Sequence, residues 1–231
     1  MTELVTYLNK PDLKLAFLGE LAKHEAQDAF IKGTYGRMNG YFKGCGIGCS
    51  LHSLNVMQGK DAMYQTGNHD RVPAELGWPL WLAYAEDNIF ENLPDDLAKS
   101  WPRRLAEAIP VGIVVPDIVL AKLLRWVLLD SRFGVFHATD DESVKTVVRT
   151  MGALFDRTID GQTVPNEAEW DEAARAARAA WDARAARAAW DARAAWAAWA
   201  ARDAWDARAA YYPALSEEVL RRLSELEPAA A

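Results

Sequence analysis

The chain has 231 residues, two cysteines and a formal net charge of −7, a length that suits one large domain or a domain with a long appendage. The acidic balance excludes a general electrostatic pull toward nucleic acid or an anionic membrane, and two cysteines exclude a disulfide framework and read as a reduced, cytoplasmic setting. With a mean hydropathy of −0.18 and no run of ~18 apolar residues, no membrane span is expected, and the opening Met-Thr-Glu-Leu does not read as a secretory signal.

The predicted elements are helices. Pro11 opens a helical pattern through Leu13, Phe17 and Leu21 to Phe30, and Gly33 closes it. The glycines at 33, 36, 40 and 44 mark a loop. A short helix follows from Cys45 to Gln58, then a polar loop from Gly59 to Pro73. Helices are expected from Leu80 to Glu91 and from Asp95 to Ile109, the latter with a kink or a second N-terminus near Pro102. Asp117 to Leu129 reads as a central buried helix and Asp140 to Asp156 as another. Nothing alternates long enough to predict a sheet. The expectation is therefore an all-α protein: a helical globular domain over residues 1–160, one very long alanine-rich helix over 161–212, and a short terminal helix and tail over 213–231.

Pro165-Asn166 begins the long helix, with Glu169 completing a capping box. Neither glycine nor proline interrupts it before Pro213, and alanine, the best helix former, fills much of it. Every third residue from Arg175 to Arg208 is arginine or tryptophan, including Arg178, Trp181, Arg184, Arg187, Trp190, Arg193, Trp196, Trp199, Arg202 and Trp205. A step of three on a 3.6-residue helix slips back ~60°, so the bulky row winds around the axis instead of forming one stripe. A heptad coiled coil is excluded. Arginine three residues from each repeat tryptophan allows guanidinium–indole stacking. Tryptophan and arginine are also the residues that dominate protein interfaces. The tract thus reads as a packed structural helix, or as a surface for a protein partner or a second copy of the chain. Seven arginines against four aspartates between Ala173 and Tyr212 is too small a surplus to favour nucleic acid.

The segment Lys43-Gly44-Cys45-Gly46-Ile47-Gly48-Cys49-Ser50-Leu51-His52 is the one that suggests chemistry. A cysteine at a glycine-rich helix N-terminus can be held as thiolate by free amides. In that case Cys45 is the nucleophile, His52 or His69 the base, and Glu75 or Asp87 the group that orients it. Alternatively Cys45, Cys49, His52 and His69 form a zinc site, although their spacing matches no familiar finger. The third alternative needs no cofactor: Gly40, Gly44 and Gly48, with two small cysteines, make a face that a second helix approaches closely.

The segment from Lys43 to His52, His69-Asp70-Arg71-Val72-Pro73-Ala74-Glu75-Leu76-Gly77-Trp78-Pro79 and Glu86-Asp87-Asn88-Ile89-Phe90-Glu91-Asn92-Leu93-Pro94 resemble an uncharacterised family of bacterial and phage proteins. Its members also end in an alanine-rich tail carrying aromatic residues and arginine. The resemblance covers roughly residues 12–110 and the tract. It implies no mechanism, but it does imply a mobile-element setting, where small host-interaction and anti-defence proteins are common. The expected function is a non-enzymatic helical binding or adaptor protein acting through the long helix. The alternative is a small cysteine- or metal-dependent enzyme, or a ligand-binding domain.

Overall fold

The computed structural model describes residues 3–161, 163–191 and 197–227, without the side chains of 181–191 and 197–209. Helices make up 65% of the structure and strands 4%, so the chain is mostly helical with one small antiparallel sheet. Two compact units are present. Unit 1 comprises Met1–Val115 and Leu215–Ala231, and unit 2 is the intervening Pro116–Ala214. Unit 1 is thus discontinuous in sequence, with the divisions at 115/116 and 214/215.

In unit 1 the helices are α1 (Pro11–Ala26), α2 (Gly46–Met57), α3 (Arg71–Leu76), α4 (Leu80–Asn92) and α5 (Asp95–Ala108). Pairwise packing of α1, α2, α4 and α5 encloses Phe17, Leu21, Leu51, Leu54, Phe90, Trp101 and Leu105. The α1 helix stops short of the expected Phe30. Asp28 takes the left-handed conformation with φ 51°, and the Ala29 amide donates to the His24 carbonyl at 2.9 Å. This is the helix-ending motif that glycine usually supplies, and a short polar aspartate adopts it at modest cost. Between Gly33 and Gly44, expected as loop, lies a hairpin of β1 (Arg37–Asn39) and β2 (Tyr41–Lys43), paired antiparallel. Three-residue strands with only Phe42 buried carry no alternation to read. The segment expected as loop up to Pro73 already contains the start of α3. A proline in the first turn gives up an amide that has no helical partner anyway.

Unit 2 holds α6 (Asp117–Leu129), α7 (Glu142–Asp160), α8 (Glu167–Asp191) and the start of α9 (Ala197–Ser224). The α6 helix occupies the expected residues, but only Val119, Ala121 and Leu123 of it are buried and most of its other side chains are partly exposed. Arg125 bonds Asp156 between α6 and α7. The capping box at α8 forms as expected, with the Asn166 amide donating to Glu169 at 2.9 Å and the Glu169 amide returning to Asn166 Oδ1 at 3.0 Å.

The single helix expected from Glu167 to Tyr212 is not shown as such. It is described as α8 and as part of α9, and 192–196 lie outside the described residues. Its expected end is overturned, because α9 continues through Pro213 to Ser224. A proline inside a helix costs about 3 kcal/mol. Leu215, Val219 and Leu223, four residues apart on one face, are all buried in unit 1 and offset that cost.

Candidate functional site

The site lies in unit 1 and begins at the N-terminus of α2, where Cys45 is the last residue in extended conformation. Small residues serve a close approach here, as the packing alternative anticipated, but at Gly44 and Gly48 the neighbour is the Tyr35 segment and not a helix, Gly46 faces α4, and nothing lies within 4 Å of a Cβ on Gly40. A Cβ on Gly48 would sit 2.0 Å from the Tyr35 carbonyl oxygen, and one on Gly46 3.1 Å from the Phe90 ring. Glycine therefore lets the Tyr35 backbone lie directly on α2, above Cys45.

From the other side, α4 presents Tyr84, Asp87 and Glu91 at helical spacing (i, i+3, i+7). The Cys45 sulfur and carboxylate oxygens of Asp87 and Glu91 all lie within 4.8 Å of one another. The Gly33 amide donates to both oxygens of Glu91 at 3.0 Å. Asp87 Oδ2 is 3.2 Å from His69 Nε2, and His69 Nδ1 is 3.2 Å from the Gly67 carbonyl oxygen. The imidazole stacks on Tyr84, centroids 4.7 Å apart and planes 12° apart, and meets Tyr35 edge-on at 5.8 Å.

Charge follows from this geometry. A carbonyl oxygen can only accept, so the Nδ1 proton is fixed toward Gly67. A neutral Nε2 would then turn its lone pair on the Asp87 carboxylate. Protonation replaces that repulsion with a donated bond, and the hydrogen bond to Asp87 raises the His69 pKa above its usual value. The Tyr35 phenol is raised chiefly by the Asp87 charge. Burial raises the Cys45 thiol strongly; the Gly48 amide opposes this in part, and the nearby Asp87 and Glu91 charges push it further up. Beside the cluster Glu86 is 1% exposed, bonded by the Ser50 hydroxyl at 2.6 Å, and pushed by desolvation to about 8, so it is mostly neutral at pH 7.

Of the residues the sequence singles out, Cys45, His69 and Asp87 come together, and Asp87 is the neighbour the other two share. The arrangement differs from a cysteine–histidine nucleophile pair. The base nitrogen faces a carboxylate, and the thiol is held protonated by burial and by anions where activation needs cations. His52 is elsewhere: its Nδ1 lies 3.0 Å from His24 Nε2 and its ring stacks on Phe42 at 4.1 Å. Glu75 is occupied by Arg71, Gln58 and Lys60 and orients no histidine. The Cys49 thiol points at the carbonyls of Gly44 and Ala29. The expected Cys45–Cys49–His52–His69 zinc set therefore does not assemble, because successive turns of α2 send Cys45 toward α4 and His52 toward α1. Glu91, Tyr35 and Tyr84 join the site without having been singled out. The helical spacing of 84, 87 and 91 was a usable signal for two of them; Tyr35, in the glycine-rich segment, had none.

In the tract, Arg178 is exposed on α8. The side chains of Trp181, Arg184, Arg187, Trp190, Trp199, Arg202 and Trp205, and all of Arg193 and Trp196, lie outside the described residues.

The His24–His52 pair makes a prediction of its own. His24 is 5% exposed, and burial, reinforced by His52, lowers its pKa from 6.5 to about 4. A histidine depressed in the folded state contributes stability that is present above 6.5 and lost as the pH falls through 4. The loss is about 3 kcal/mol. Glu86, raised to about 8, contributes in the opposite direction over the same range, so the His24 contribution is read as a difference: in denaturant titrations wild-type stability should fall relative to that of His24→Gln between pH 6.5 and 4. An unchanged slope in the variant contradicts the assignment.

Comparison of the chain with protein-family models, with curated proteins and with solved structures yields no match.

Proposed function

We propose that the protein is a non-enzymatic helical binding protein that engages a protein partner through the arginine–tryptophan repeat between Arg175 and Arg208. One observation carries this reading: the repeat is bracketed by packed structure at both ends. At its start Trp170 packs on Phe155 at 4.9 Å and Glu169 pairs with Arg157 at 2.6 Å. After its end Tyr211 stacks on Trp126 at 6.2 Å, and Leu215, Val219 and Leu223 are buried. Both flanks of the repeat are thus held by packed side chains, and its composition is that of interface hot spots. The winding of the bulky row means that a partner meets it on more than one side. The resemblance to bacterial and phage proteins supports a host protein as that partner.

The test is quantitative capture of partners by the full chain and by a variant carrying Trp181→Ala, Trp190→Ala, Trp199→Ala and Trp205→Ala. Alanine preserves helix propensity, and circular dichroism checks that it has. Loss of capture by at least about tenfold is expected, since hot-spot truncations cost ~2 kcal/mol or more each. Capture at the wild-type level rejects the proposal.

A further inference from the structure

We propose that Cys45, Asp87 and Glu91 form a binding site for one thiophilic divalent cation of the zinc type, with His69 positioning Asp87. The site is independent of the tract and of any partner bound there.

The donor set argues for the class of metal. One sulfur and two carboxylates suit zinc and its relatives, whereas magnesium and calcium take oxygen alone. The three donor atoms are already within 4.8 Å of one another. Tetrahedral zinc with bonds of ~2.0–2.3 Å places such ligands ~3.4–3.6 Å apart, so a closing movement of about 1 Å brings all three donors to bonding distance, with water as the fourth ligand. Two observations stand apart from the acidity of the cluster. Asp87 Oδ1 is buried without a hydrogen-bond partner, while Oδ2 is held by His69. An open oxygen on an otherwise fixed carboxylate is what a metal ligand requires, and ligating carboxylates are held by an outer hydrogen bond, which His69 supplies here. Cys45 is 1% exposed, so its sulfur is enclosed, while Asp87 and Glu91 are half-buried and leave the site a side open to an entering ion. Binding breaks the Cys45 S–H bond, forms an S–metal bond and releases the proton to solvent. No electron is transferred.

The experiment uses the full chain, freed of metal with a chelator and titrated with Co²⁺ as a coloured stand-in for Zn²⁺. One equivalent is expected to bind, with a thiolate-to-cobalt charge-transfer band that Zn²⁺ bleaches. Cys45→Ser should abolish the band, and Cys49→Ser should leave it intact. Glu91→Gln, at a half-buried position where folding is at little risk, should weaken binding by more than about 100-fold. His69→Gln should weaken it by about 10–100-fold, as loss of an outer partner does. Circular dichroism of each variant separates lost binding from lost folding. Three results overturn the proposal: no Co²⁺ bound by the folded wild type, a band that survives Cys45→Ser, or excess Mg²⁺ displacing Co²⁺ as readily as Zn²⁺ does.

Discussion

Leu223→Ala should destabilise unit 1 by about 2–5 kcal/mol, the range for truncating a fully enclosed leucine. Leu223 is 0% exposed, yet it lies more than 100 residues along the chain from Val115, where the first part of unit 1 ends. Around it the end of α9 is fixed against α5. Arg104 and Glu217 pair at 2.8 Å, and Arg104, Glu107, Leu220 and Arg221 line a shared groove of about 410 Å³. The substitution leaves a cavity in the core of a unit whose other helices are far upstream in sequence. Hydrogen exchange should therefore report faster global opening in α1, α2, α4 and α5, with α6 and α7 unaffected. If the upstream helices keep their protection, the C-terminal segment is not part of that core. A truncation near Gly161 also removes Leu215, Val219 and Leu223 and so destabilises unit 1 along with deleting the repeat.

Gly48→Ala is the second large effect, and its sign is diagnostic. In an open helical position alanine stabilises relative to glycine by about 0.5–1 kcal/mol. At Gly48 the added methyl would meet the Tyr35 carbonyl oxygen at 2.0 Å and the Tyr35 carbonyl carbon at 2.7 Å, backbone atoms that cannot rotate away. Either α2 or the Tyr35 segment has to move, at a cost of about 3 kcal/mol. The Tyr35 ring would leave His69, and the surroundings of Cys45 and Asp87 would loosen with it. Gly19→Ala in α1 is the matched control, because nothing lies within 4 Å of its added methyl. Denaturant midpoints should fall for Gly48→Ala and rise slightly for Gly19→Ala. Equal behaviour of the two would mean that Tyr35 does not rest on α2.

The sequence carried the helices well where local signals act alone. Pro11, Pro116 and the Asn166–Glu169 box mark starts that the structure places where expected, because capping is decided by a few neighbouring residues. It failed where distant contacts decide. Asp28 ends α1 in a conformation that glycine would have advertised, and α9 passes Pro213 because its far end is buried in unit 1. The candidate site divides the same way. Cys45, His69 and Asp87 were legible as chemical groups in one region. That His52 turns to His24, and that Glu91 joins Cys45 and Asp87, depends on the packing of α2 between α1 and α4, which no local pattern encodes.

The claim that the repeat is the binding surface is tested most directly by hydrogen exchange on the full chain, free and in complex with a captured partner. The account predicts slowed exchange in peptides spanning Arg175 to Arg208, with no comparable change around Tyr35 and Tyr84. Protection confined to the Tyr35–Tyr84 region, with the repeat unchanged, would contradict it.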